Sequence, residues 1–304
     1  MSDTVIKIEK LTKDYGQNRG IFDLDIDVKE GEVFGFVGTN GSGKTTTIRN
    51  MMGFIQPDSG RSSINGLDSW TSSADIMRNV SYVPGEIAFP ALKTGTEFLK
   101  VQAKYLGVED FTYMNHIIEK LQLDPSAHLK RMSKGMKQKT AIVAALMGDK
   151  DILVLDEPTT GLDPLMREAF LDLIREEKQK GHTVFMSSHI FEEIEAVCDR
   201  VAMIKDGHII DIVSLYDLRH PKTKQFIAEF EDIHEKRAFV MNEEFEFIQN
   251  EGNECTFCCD ISQLDDMFLK LNDFNVTNFR EIHQSLQQQF MSAYKEGLND
   301  NGNK

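Results

Sequence analysis

The run Gly38-Thr39-Asn40-Gly41-Ser42-Gly43-Lys44-Thr45-Thr46 constrains this chain more than any other feature. It fits the spacing G-x-x-x-x-G-K-[ST], and its surroundings are those the pattern needs. A short apolar run, Glu32 to Val37, reads as a strand leading into it. A helix is expected from near Lys44 through Met52. The glycines let backbone N–H groups converge on a β-phosphate, and the helix N-terminus adds a favourable positive potential. Lys44 is then placed for the β- and γ-phosphates, and the Thr45 hydroxyl for Mg²⁺.

A strand over Ile152–Leu155, apolar throughout as in a buried parallel sheet, ends in Asp156 and Glu157. Ligands collect at the carboxyl ends of such strands. Asp156 is expected to hold Mg²⁺, and Glu157 to polarise an attacking water as general base.

Elsewhere the chain alternates strand and helix. Val5, Ile6 and Ile8, then Phe22 to Val28, alternate as strands, with a turn at Tyr15-Gly16 between them. Helical spacing runs through Thr94–Leu123. Phe98, Val101 and Tyr105 share one face there, as do Ile117, Ile118 and Leu121. A helix over Lys137–Met147, another over Met166–Gln179, a strand at Thr183–Met186 and a helix from Phe191 complete an α/β core. A boundary is expected near Arg219-His220-Pro221-Lys222, giving a first domain over 1–220. Beyond it, a small α+β domain over 221–298 is expected. It has strands at Gln225–Glu231, Glu244–Gln249, Glu254–Asp260 and Val276–Glu281, and helices at Leu264–Leu271 and Leu286–Lys295. A disordered tail, Asn299–Lys304, is expected after it. Leu286, Phe290 and Tyr294 fall one turn apart, which suits packing within that domain more than docking a partner.

The 304 residues carry 34 basic and 49 acidic side chains, a net charge of -15. That balance disfavours nucleic acid as a partner, since phosphate backbones are bound through Lys and Arg. No apolar run approaches the roughly 18 residues of a membrane span, and the N-terminus lacks an apolar signal region. A cytosolic chain is expected, with any membrane role arising through a partner. Cys255, Cys258 and Cys259 form a C-x-x-C-C cluster. A zinc site needs a fourth ligand. The alternative is a strand, ECTFCCDI, with thiols as small packing groups.

Three further segments narrow the reading. Met132-Ser133-Lys134-Gly135-Met136-Lys137-Gln138-Lys139 resembles the signature of ATP-binding cassette (ABC) transporters, usually Leu-Ser-Gly-Gly-Gln. Thr160-Gly161-Leu162-Asp163-Pro164 resembles the D-loop of that family, and Ser187-Ser188-His189 its switch-histidine segment. Tyr15 stands where the family stacks an aromatic ring on adenine. The resemblance spans roughly residues 5 to 215. It implies a P-loop ABC nucleotide-binding domain with a RecA-like core, an antiparallel β subdomain and a helical subdomain over about 86–140. It also implies a head-to-tail dimer with ATP sandwiched between two such domains. Ser133, Lys134, Gly135 and Met136 would act on the ATP of the opposite subunit, Asp163 would connect the two sites, and His189 would contact the γ-phosphate and position water.

Two departures accompany the match. Lys134 and Met136 replace usual signature residues. In Tyr82-Val83-Pro84-Gly85-Glu86, Gly85 stands where the family has a glutamine that ligates Mg²⁺ and links to the membrane subunit; Glu86 or a water is expected to replace that contact. The chain most resembles ATPase subunits of bacterial bacitracin-, drug- and peptide-type exporters. These act at the cytoplasmic face of the membrane with separate six-helix integral-membrane subunits. The docking groove is expected near Val83–Leu92 and the Phe98 helix. A soluble ABC ATPase acting on ribosomes or DNA usually has two such domains or long coiled coils, and neither is present. A small-molecule kinase leaves the signature and His189 unexplained.

Overall fold

The computed structural model describes residues 3–241, 245–282 and 285–291. The chain divides into two compact units, Met1–Leu215 and the part from Tyr216 onward.

The first unit opens with β1 (Thr4–Asp14), β2 (Gly20–Lys29), β3 (Val33–Val37) and α1 (Lys44–Met51). β4 (Ser59–Ile64), β5 (Leu67–Asp68), α2 (Ser73–Asn79) and β6 (Val80–Val83) follow. Next come three helices, α3 (Gly95–Leu106), α4 (Thr112–Lys120) and α5 (Lys134–Leu146). The unit closes with β7 (Ile152–Asp156), α6 (Pro164–Gln179), β8 (Thr183–Ser188), α7 (Phe191–Val197), β9 (Arg200–Lys205) and β10 (His208–Ser214).

Two sheets form. One is antiparallel, in the order β2-β1-β4-β5; the other runs β10-β9-β3-β8-β7-β6 and is parallel except for β10. Every residue of β3, β7 and β8 is buried, which is why these strands read as unbroken apolar runs. α1 packs against β2 and β4 of one sheet and β7 of the other. Its Ile48 and Met51, with Met52, join Ile6, Leu24, Phe34 and Phe36 in one core.

Register positions the site. Val37 pairs with Ser188, and Asp156 with Ser187. The segments after β3, β7 and β8 therefore leave the sheet side by side at its carboxyl edge, where a doubly wound sheet holds ligands.

The helical run expected over Thr94–Leu123 is two helices. Gly107, at φ 70°, ends α3, a left-handed stop that glycine takes without penalty. α3 starts on the Thr94 hydroxyl, which accepts from the Glu97 amide. The shared face of Phe98, Val101 and Tyr105 is only partly covered. Phe98 is buried and stacks edge-on to Phe89, but Val101 and Tyr105 are exposed, Tyr105 at 82%. The stripe is half core and half surface. The helix expected from Lys137 begins one turn earlier, at Lys134, because Ser133 caps it.

The second unit holds β11 (Thr223–Phe230), β12 (Glu246–Glu251), β13 (Glu254–Asp260) and β14 (Val276–Ile282) in the order β12-β13-β11-β14. α8 (Leu215–Arg219) precedes them, and α9 (Ile233–Val240) and α10 (Leu264–Leu271) intervene. α9 carries no signal recognised in the sequence; Asp232 caps it by accepting from the His234 and Glu235 amides. Phe226, Phe230, Phe239 and Phe257 form the core. Cys255 and Cys259 point into it, and Cys258 lies on the opposite strand face. Cysteines four apart on one face stand roughly 13 Å from each other, so the cluster cannot converge on a metal. A helix covers 286–291, with Leu286 and Phe290 buried. Tyr294, the rest of the expected helix to Lys295 and the Asn299–Lys304 tail lie outside the described residues, as does Glu244 of the strand now seen as β12.

Candidate functional site

At the carboxyl edge of the parallel sheet a cleft of about 700 Å³ opens. The loop between β3 and α1 forms its floor. Gly43, at φ 115°, has room for no side chain: a Cβ there meets Ile21 Cγ2 at 2.7 Å. This close approach fixes the turn from which Lys44 starts α1, whose first amides have no partner within the helix. Asn40, Gly41, Gly43, Lys44, Thr45 and Thr46 line the cleft. Gly38 packs under the loop, where a Cβ would meet the Ile204 carbonyl oxygen at 2.3 Å. Ser42 is buried beside it. Thr39 contributes its carbonyl, which accepts from Lys44 Nζ at 3.1 Å; Gly38 O accepts from the same amine at 2.7 Å.

Two carboxylates stand opposite. Asp156, at the end of β7, is fully buried. Its Oδ1 accepts from Ser187 Oγ at 2.8 Å, while Oδ2 has no hydrogen-bond partner of full geometry. Burial pushes the Asp156 carboxyl above its ordinary range; the Ser187 and Thr45 hydroxyls oppose this, and Glu157 adds to it. Glu157 sits at φ 49°, a left-handed backbone that a non-glycine residue holds only where its surroundings enforce it. Its amide donates to Ser187 Oγ at 3.0 Å. Its side chain is held from both ends: Oε1 lies 3.2 Å from Lys44 Nζ, and Oε2 lies 2.6 Å from His189 Nδ1. A carboxylate thus bridges a lysine ammonium and a histidine ring within the cleft lining.

Gly85 borders Asp156 directly, since a Cβ at residue 85 falls 3.0 Å from Oδ2. Glu86 lines the cleft beside it. Tyr15, 55% exposed, lies at the mouth. Asn18, Arg19, Gly20, Arg49, Thr160 and Asp206 complete the wall. Apart from Thr160, which opens the D-loop segment, these the sequence did not reveal, because loop and strand residues converge on the cleft without a local pattern.

Of the D-loop segment only Thr160 lines this cleft; Asp163 and the signature residues Ser133, Lys134, Gly135 and Met136 do not. Ser133 caps α5, accepting from the Met136 amide at 3.2 Å. Asp163 caps α6, accepting from the Met166 amide at 3.0 Å. The two segments touch each other: a Cβ on Gly135 meets the Gly161 carbonyl oxygen at 2.7 Å, and Lys134 packs over Gly161.

The loop, the acidic strand end and the histidine in this order mark a nucleotide hydrolase, and comparison with known proteins decides the family. Residues 21–160 match the family model described as ABC transporter. The bacitracin transport ATP-binding protein BcrA of Bacillus licheniformis is 35% identical over 244 residues, 79% of each chain. The chain belongs to the ABC transporter ATP-binding family. Along nearly its whole length it is also similar to an ABC transporter ATP-binding protein of Bacillus subtilis, YdbJ, at 30% identity over 96% of each chain. A solved ATP-binding subunit of an ABC transporter superposes with a TM-score of 0.65 at 26% identity, over 88% of this chain and all of that one. The fold is the ABC nucleotide-binding fold, and this ABC subunit binds and hydrolyses ATP. Among the described residues no helix is long and apolar enough to cross a membrane.

Proposed function

We propose that this subunit powers an exporter of amphipathic drugs or peptides through ATP-driven closure of two nucleotide domains. The observation that carries the hydrolytic part is the Lys44–Glu157–His189 contact. It puts the carboxylate assigned as base beside both groups that meet a γ-phosphate, and its strained backbone marks Glu157 as specially held. Lys44 trades Glu157 and its own loop carbonyls for phosphate oxygens when ATP enters. That exchange frees the Glu157 carboxylate to take a proton from water as the water attacks the γ-phosphorus and ADP leaves. His189 holds the carboxylate and the γ-phosphate in line.

Mg²⁺ fits the strand end: a buried anionic oxygen that lacks a hydrogen bond of full geometry, Asp156 Oδ2, is what a hydrated divalent cation satisfies, and the Thr45 hydroxyl is adjacent. Thr45 and Asp156 would hold it, with Glu86 in place of the missing glutamine. When bound, the ion neutralises charge on the β- and γ-phosphates.

Tyr15, at the mouth, is assigned to adenine. Ser133, Lys134, Gly135 and Met136 lie outside their own cleft and are assigned to the ATP of a second, head-to-tail subunit, with Asp163 linking the sites. Relatives named as ATP-binding proteins of transporters support docking on a separate integral-membrane subunit from the cytoplasmic face. The partly exposed region around Phe89 and α3 is assigned to that contact. The region over 221–298 is assigned as an accessory domain. The export reading rests on relatives named for bacitracin transport, linearmycin resistance and Nod factor export.

The test is Glu157→Gln. Turnover falls by about 10²–10⁴, ATP affinity is kept, and ATP–Mg²⁺ drives a stable dimer in size-exclusion chromatography. Full turnover by this variant removes Glu157 from the role of base.

A further inference from the structure

Glu193 is 2% exposed and lies on α7, away from the cleft lining. One of its oxygens gathers two loops. Thr159 Oγ1 donates to Oε2 at 2.8 Å, and Ser188 Oγ donates to the same Oε2 at 2.9 Å. Thr159 follows Glu157 by two residues, and Ser188 immediately precedes His189. Ser188 Oγ in turn accepts from the Ile190 amide at 3.0 Å, which fixes the backbone on the far side of His189. The other oxygen, Oε1, lies 3.0 Å from Arg167 Nε, in ionic contact without hydrogen-bond alignment. Arg167 is on the first turn of α6, whose cap is Asp163.

We propose that Glu193 is a positioning residue for hydrolysis: its carboxylate locks the segment after Glu157, the His189 segment and the helix behind Asp163 into one relative geometry. The inference rests on the assignment of Glu157 and His189 to the chemistry. Glu157 and His189 meet at 2.6 Å, though they follow different strands, β7 and β8. Besides the β7–β8 pairing and the bonds at Ser187 Oγ, a further tie between their loops runs through Thr159, Glu193 and Ser188. Thr159 and Ser188 are both buried, so their hydroxyls have no water to turn to if the carboxylate is lost. Burial pushes the Glu193 carboxyl up, and the two hydroxyls and Arg167 oppose it, as a shared acceptor beside a cation requires. The same carboxylate also makes the position of the Asp163 helix, which faces the proposed partner subunit, depend on the loops of this subunit's own site.

Replacement by glutamine separates positioning from packing. Both hydroxyls donate to one oxygen, so the amide oxygen must take that place. The amide NH₂ then faces the Arg167 guanidinium, donor against donor, and the tie to α6 is lost while the volume is kept. Steady-state ATPase activity, binding of a fluorescent ATP analogue and thermal melting are measured on the full chain for Glu193→Gln, Arg167→Gln, the double variant and Glu157→Gln. Glu193→Gln is expected to lower kcat roughly tenfold to a hundredfold, the range for small misplacement of reacting groups. Nucleotide Kd stays within about twofold, because no cleft-lining phosphate contact is touched. Arg167→Gln falls in the same direction, and the double variant is no worse than the poorer single one, as a shared link demands.

Wild-type kcat in both single variants overturns the proposal, and so does a loss of kcat matched by an equal loss of nucleotide affinity or of folded protein. Arg167 is partly exposed, so Arg167→Gln, together with Ser188→Ala, decides the matter even if Glu193→Gln does not fold. If Glu157→Gln keeps full turnover, the assignment of the base has failed. If it abolishes turnover while Glu193→Gln and Arg167→Gln do not lower kcat, only the positioning role has failed.

Discussion

Asp156→Asn should stabilise the nucleotide-free protein while disabling it. The amide oxygen can keep the 2.8 Å bond from Ser187 Oγ, though a bond to a neutral acceptor is weaker than one to a carboxylate. The other position changes from an anionic oxygen lacking a hydrogen bond of full geometry to a neutral NH₂. Because burial is the largest influence on Asp156 and raises its carboxyl above the ordinary 3.8, the charged form is a net cost in the folded state. A relief of about 1–2 kcal/mol is expected, the lower part of the range for an unsatisfied buried polar group. In a domain of this size that raises the melting midpoint by about 2–8 °C.

The sign of the pH dependence follows. The folded state holds this proton more tightly than the unfolded chain, so the penalty is full above the folded pKa and disappears below the unfolded one. The advantage of asparagine is therefore largest near pH 8 and closes as pH falls toward about 4. Melting curves across that range measure it, with and without Mg–ATP. In the wild type, Mg–ATP at about 100 times Kd adds about 2.7 kcal/mol; in the variant, Mg²⁺ adds nothing to ATP alone, and turnover falls by roughly 10² or more. A lower midpoint than wild type at pH 8, or a gap that widens as pH falls, refutes the reasoning.

Three other outcomes are expected. Gly43→Ala places a Cβ 2.7 Å from Ile21 Cγ2 at φ 115°, which costs about 2–4 kcal/mol in strain and overpacking; denaturant titration should show it, together with lost ATP binding. Tyr113→Phe removes the phenolic donor to the buried Glu177, which keeps Lys180 at 2.9 Å and His182 at 2.7 Å. The melting midpoint should drop by about 4–8 °C, from about 2 kcal/mol for a charged hydrogen bond, with nucleotide affinity unchanged. Burial pushes the Cys255 thiol up to about 11 and raises Cys258 and Cys259 as well. Only the thiolate reacts, so at pH 8 alkylation at Cys255, followed by mass spectrometry, should be slow and should rise about tenfold per pH unit. Rapid labelling at pH 8 counts against the buried strand.

Much of the site is legible in the chain because it is local backbone chemistry. The phosphate loop and the strand ending in Asp156 and Glu157 each lie within a few consecutive residues. What escaped reading is weakly patterned or not local. β4 is a run of serines, glycine and arginine with only two buried positions, so neither alternation nor hydropathy announces it. Val101 and Tyr105 share the periodicity of core residues yet lie exposed, since periodicity reports a face and not what covers it. The strand expected over the C-x-x-C-C cluster is found as β13, and its geometry, which sends Cys258 to the other side, removes the metal alternative.

What the sequence determined by itself is therefore the machinery in segments: a loop able to hold phosphate, a strand delivering two carboxylates, a helix opened by Ser133 and a serine-serine-histidine turn. These follow from bonding between near neighbours, where spacing alone sets geometry. Only the tertiary structure decided how the segments meet. The pairing of Asp156 with Ser187 and of Val37 with Ser188 brings Glu157 to 3.2 Å from Lys44 and 2.6 Å from His189. The burial of α7 places Glu193 behind them. Such contacts join residues more than thirty positions apart, and strand register and exclusion of water, rather than sequence spacing, bring them together.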